Sequence, residues 1–126
     1  MLKVLVVDDQ PLIRSALKSL LGLEKDMEVI AEAADGLEAS RIAADLEPDV
    51  ILMDINMPLI NGFDTTRKIR EKGIQIPVIA LTAFDKQEVS EEAIAAGMND
   101  ILIKPFEPTK LYQIISNQII KKENAD

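Results

Sequence analysis

Short apolar runs recur along the chain, separated by longer stretches in which apolar positions fall every three or four residues. The runs are Leu2 to Val7, Val29 to Ala34, Val50 to Met53, Val78 to Leu81 and Ile101 to Ile103. They are nearly continuous in hydrophobicity and mostly rich in Val and Ile, as strands buried on both faces require. Between them, Leu12, Ile13, Ala16, Leu17, Leu20 and Leu21 form one helical stripe, with Pro11 suited to a first turn. Ala39, Ile42, Ala43 and Leu46 form a second stripe, closed by Pro48. A third helix is predicted from Gly62 to Lys72, with Gly73 in position to end it. A fourth, about Lys86 to Ala96, is acidic and alanine-rich, and its stripe of Val89, Ala93 and Ala96 is thin. The last helix carries Leu111, Ile114, Ile115 and Ile119 on one face. Five strands alternating with five helices predict an α/β fold of βαβ units, with a parallel sheet covered on both sides. Right-handed crossovers then favour a doubly wound open sheet.

Composition narrows what such a fold can do. With 126 residues the chain has the size of one domain, and no repeat or linker interrupts it. We expect an ordered domain over 1–121 and a frayed tail over 122–126. There is no cysteine, which excludes disulfides and thiolate chemistry, and no histidine, which removes the usual general base and zinc ligand. Any chemistry must use carboxylates, hydroxyls, lysine or the backbone. A net charge of -8 repels phosphate backbones, so direct nucleic-acid binding is not expected. The N-terminal apolar run is too short for a signal peptide, and no stretch approaches a bilayer-spanning length. A soluble, cytoplasmic protein is expected.

Ligands of doubly wound sheets bind outside the carboxyl ends of the strands, near a topological switch point. The residues ending each apolar run are therefore the candidates. The first run ends in Asp8 and Asp9, the third in Asp54, the fourth in Thr82, and the fifth in Lys104 and Pro105. Three clustered carboxylates repel one another unless a hard divalent cation with oxygen ligands relieves them, and magnesium suits such a set. A carboxylate can attack phosphorus, and a metal, a lysine and a hydroxyl can neutralise the phosphoryl oxygens. Singly, each residue has an ordinary explanation. Asp8 and Asp9 precede a helix, where acids favour the cap and the dipole. Thr82 is a β-branched residue in a strand, and Lys104 could be solvated. The joint placement at successive strand ends is what points to phosphoryl transfer.

The ordered set Val-Val-Asp8-Asp9, Asp54-Ile-Asn-Met57-Pro58 with Gly62, Leu-Thr82-Ala83 and Lys104-Pro105-Phe106 resembles the receiver domains of bacterial response regulators, chemotaxis regulators among them. The resemblance runs from Leu2 to about Lys121. It implies a flavodoxin-like sheet with strand order 2-1-3-4-5. It implies Asp54 as phosphoacceptor, Asp9 as a direct metal ligand, Asp8 acting nearby or through water, and the backbone carbonyl of Asn56 as a further ligand. Thr82 and Lys104 would bind phosphoryl oxygens, and Pro105 would follow a cis peptide bond. The implied cofactor is Mg2+, with Mn2+ or Ca2+ as substitutes. The implied donor is a sensor histidine kinase or a histidine phosphotransfer protein. Output would run through the face of the fourth helix, fifth strand and fifth helix, where Tyr112 and Ile120 are expected to be exposed to a partner.

Two positions modify that picture. Ile101 stands where the family often has a Tyr or Phe that turns inward, so the switch is expected to rely on Thr82, the loop after it and the thin fourth helix. Phe84 stands where side chains influence water access to an acyl phosphate. The alternatives are a non-phosphorylated pseudo-receiver, a flavin-binding protein and an aspartate-nucleophile phosphatase. Against the last two, Asp8-Asp9-Gln10-Pro11 is no phosphate loop, and Asn56 stands where a phosphatase wants its second acid.

Overall fold

A strand covered on both faces can be apolar at every position, and that is how the short runs are used. The computed structural model describes residues 1–124. Among the described residues, β1 (Leu2–Val7), β2 (Met27–Ala33), β3 (Val50–Asp54), β4 (Val78–Thr82) and β5 (Asp100–Ile103) alternate with α1 (Pro11–Gly22), α2 (Gly36–Leu46), α3 (Gly62–Glu71), α4 (Lys86–Ala96) and α5 (Pro108–Asn124). The strands pair in parallel in the order β2-β1-β3-β4-β5, the flavodoxin-like arrangement. The chain starts on β1, adds β2 on one side, then crosses back to β3, so the switch point lies between β1 and β3.

Successive side chains of a strand point to opposite faces, and the core divides accordingly. Val4 and Val6 join Leu17 and Leu21 of α1 and Leu111 and Ile115 of α5 on one face. Leu5 and Val7 join residues of α2, α3 and α4 on the other, including Ala43, Phe63, Ile69 and Ala93. The thin stripe of α4 is buried as expected at Val89, Ala93 and Ala96, while Ile94 is 71% exposed.

Helix ends follow local chemistry. Asp35, Asn61 and Asp85 cap α2, α3 and α4, each side chain accepting a backbone N–H of the first turn. Gly73 and Gly97 follow α3 and α4 with φ of 80° and 98°, which glycine adopts without Cβ strain.

Two details differ from the sequence reading. β2 begins two residues earlier, at Met27, because Met27 is buried while Glu28 points outward and interrupts the apolar run. Tyr112 does not face outward. Its hydroxyl donates to Leu20 O at 2.6 Å and its ring packs with the α1–α5 cluster, whereas Ile120 is exposed. α5 runs to Asn124, and residues 125 and 126 of the tail expected over 122–126 lie outside the described residues.

Candidate functional site

Parallel register alone carries four chemically active side chains to one edge. Val7 of β1 lies opposite Met53 of β3, so Asp8, one step on, comes beside Asp54. Asp54 lies opposite Leu81 of β4, and Thr82 follows it. Thr82 in turn lies opposite Ile103 of β5, and Lys104 follows that. Carboxylate oxygens of Asp8, Asp9 and Asp54 all lie within 4.8 Å of one another. Lys104 Nζ stands 3.7 Å from Asp8 Oδ2 and 3.9 Å from Asp54 Oδ1. Those separations are ionic neighbours rather than hydrogen bonds.

Each member is held by its surroundings. Asp8 is buried, and its Oδ1 accepts from Gln10 N at 2.9 Å. Asp8 Oδ2 is also buried and has no hydrogen-bond partner among the protein groups. Asp54 Oδ1 accepts from Asn56 N at 3.2 Å, while the Asn56 side chain is exposed. Thr82 Oγ1 accepts from Phe84 N at 3.0 Å, leaving its O–H to donate elsewhere. Phe84 itself is half exposed. Lys104 N donates to Thr82 O at 2.7 Å, and the Lys104–Pro105 peptide is cis. Gly62 lets the loop after β3 fold back over the strand end, since a Cβ there would sit 2.7 Å from Asp54 O.

The electrostatics are unbalanced in a specific way. Burial pushes the Asp54 carboxyl above the ordinary carboxylate range. The Asn56 N–H and the Lys104 ammonium pull it down, while Asp8 and Asp9 push it up again. Three carboxylates face one ammonium, and a buried oxygen has acceptor capacity to spare. Only oxygen donors are present, without nitrogen or sulfur ligands, so the set suits a hard divalent cation that keeps several waters.

The sequence reading missed one contributor. Arg14 Nη1 donates to Asp8 O at 2.7 Å, and Arg14 Nε pairs with Glu32 at 3.4 Å. The available signal was weak: an arginine on the first turn of the helix that follows two acids.

Relatives share this architecture. The family model for the response regulator receiver domain matches residues 4–116. A nitrate/nitrite response regulator protein homolog of Haemophilus influenzae is 37% identical over 114 residues, which cover 90% of this chain and 55% of that protein. The chain spans about half the length of the nitrate/nitrite response regulators it matches. Among solved structures, the chemotaxis protein CheY4 of Vibrio cholerae is similar with a TM-score of 0.85 and 35% identity, covering 93% of this chain and 98% of that one. The receiver domain of a sensor histidine kinase from Pseudomonas aeruginosa, with a magnesium ion in its active-site cleft, has a TM-score of 0.82 and 38% identity over 94% of this chain and 97% of that one. Among the described residues, no helix is long and apolar enough to cross a membrane. The chain belongs to the receiver-domain family of two-component response regulators.

Proposed function

We propose that this receiver takes a phosphoryl group onto Asp54 from a phosphohistidine donor in a magnesium-dependent reaction. The observation that carries the proposal is the convergence of Asp8, Asp9 and Lys104 on a buried Asp54. In the reaction an Asp54 carboxylate oxygen attacks phosphorus. An O–P bond forms, the donor's N–P bond breaks, and the departing imidazole nitrogen takes a proton from water. Asp8, Asp9, Asp54 and the Asn56 carbonyl would hold the ion, with Mn2+ or Ca2+ able to take its place. When bound, magnesium neutralises charge on the phosphoryl oxygens and on the acid cluster. Lys104 supplies a further positive charge to those oxygens, and the Thr82 hydroxyl donates to one of them.

The donor is a sensor histidine kinase or a histidine phosphotransfer protein of the cytoplasm. The new charge on Asp54 draws Thr82 and its loop inward and shifts the α4–β5–α5 face between two states that an output partner distinguishes. The thin footing of α4 supports this route, since small residues anchor it less firmly than the larger residues of α5.

Intact mass after incubation with acetyl phosphate and magnesium tests the proposal. Wild type should gain one phosphoryl group only with metal, and Asp54→Asn should gain none. No gain in folded wild type would establish the pseudo-receiver reading instead.

A further inference from the structure

Asp8 has four hydrogen-bonding groups, and three are tied, one to β2 and two to α1 and its N-cap. Its N–H donates to Ala33 O of β2 at 3.1 Å, and its Oδ1 accepts from Gln10 N at 2.9 Å. Its carbonyl accepts from Arg14 Nη1 of α1 at 2.7 Å. Only Oδ2 is left over, on the side of Lys104 and Asp54. Of the three ties, the one from Arg14 holds the peptide between Asp8 and Asp9, whose rotation would swing both carboxylates at once. Arg14 is itself fixed. Its side chain is 18% exposed, and Glu32 of β2 pairs with its Nε while also receiving Lys18 at 3.8 Å. A charge-assisted bond from a side chain braced at a second point is a stiff link.

We infer that Arg14 is a positioning residue for divalent-cation binding, locking the Asp8–Asp9 peptide so that both carboxylates present to one ion. The inference rests on the metal site proposed above. Its sign separates it from plain electrostatics. A cation near an acid cluster repels an incoming metal ion, so loss of charge alone would tighten binding. Loss of positioning loosens it, in the manner of the outer residues that orient metal ligands elsewhere.

Magnesium titration calorimetry on the full chain distinguishes the two, using wild type, Arg14→Met and Arg14→Lys, with circular dichroism to verify folding. Arg14→Met keeps the apolar stem without a donor and should bind about ten-fold more weakly. Arg14→Lys keeps charge and one donor and should recover most of that loss. Equal or tighter binding by Arg14→Met overturns the inference while leaving the metal site standing. Weakening that Arg14→Lys does not relieve also overturns it. If Arg14→Met does not fold, Arg14→Gln, too short to reach Asp8 O, takes its place: weaker binding is expected and equal or tighter binding overturns the inference. A wild type that takes up no magnesium sinks the metal site, and the inference with it.

Discussion

Two charges, the half-buried guanidinium of Arg70 and the buried carboxylate of Asp8, sit at opposite ends of the same sheet and are treated differently. At the end where β4 and β5 begin, the guanidinium of Arg70 on α3 makes five hydrogen bonds. They go twice to Gly97 O, and once each to Ile74 O, Ile76 O and Asn99 Oδ1. Asn99 Oδ1 in turn accepts Val78 N, so one side chain joins α3, the start of β4 and the turn after α4. Burial lowers the proton affinity of Arg70, yet every direction from the guanidinium is answered. At the other end, Asp8 Oδ2 is buried without a hydrogen bond, and Lys104 approaches the acids no closer than 3.7 Å. A charge whose partners are all internal is a frame. A charge buried with acceptor capacity to spare is suited to something that arrives from outside.

If that distinction holds, the two ends respond oppositely to mutation and to metal. The largest effect is expected from Arg70→Met, which strands the carbonyls of Gly97, Ile74 and Ile76 and should cost about 3 kcal/mol in urea unfolding. Magnesium should not restore the loss, and full restoration by metal would break the contrast. Next in size, magnesium at about 100 times its dissociation constant should stabilise wild type by about 2.7 kcal/mol. A melting temperature unmoved by magnesium would remove the claim that the acid end awaits a ligand.

The smallest effect sharpens the contrast by pH. Asp54 carries a folded-state proton affinity above that of the unfolded chain, chiefly through burial. The native carboxyl therefore binds its proton first as pH falls, and its ionisation destabilises the fold above the folded pKa. That cost disappears below the unfolded value. Metal-free Asp54→Asn should be more stable than wild type by about 1 kcal/mol near neutral pH, with the gain shrinking toward about pH 4. A variant less stable than wild type at neutral pH would mean that Lys104 outweighs burial and repulsion together.

The sequence was informative where periodicity and position carry the signal. Buried strands announce themselves as unbroken apolar runs, and register then brings Asp8, Asp54, Thr82 and Lys104 to one edge. The capping alternative for Asp8 and Asp9 is weakened by α1 itself, whose N-cap is Gln10 and makes no side-chain capping bond. What sequence hid was the work of long side chains on helix surfaces. Arg14 and Arg70 carry spacing that any solvated arginine would, and their partners are chosen by tertiary contact, 27 residues away for Gly97. Tyr112 was misread for a related reason: an amphipathic ring can bury its body and still satisfy its hydroxyl, here on Leu20 O. Met27 shows the remaining gap, because one outward-pointing glutamate splits a strand that backbone pairing keeps whole.

The register that assembles the acid edge also keeps it incomplete until β5 has joined the sheet. Asp8, Asp54 and Lys104 come from β1, β3 and the end of β5, and no contiguous half of the sequence contains all three. A nascent chain still lacking β5 has its acids without their ammonium, and a partly folded one has no common edge at all. Long-range pairing of this kind forms late, after loop closure has been met. The proposed competence to receive a phosphoryl group would thus be tied to completion of the whole sheet, and an unfinished or unravelled copy would be silent by construction.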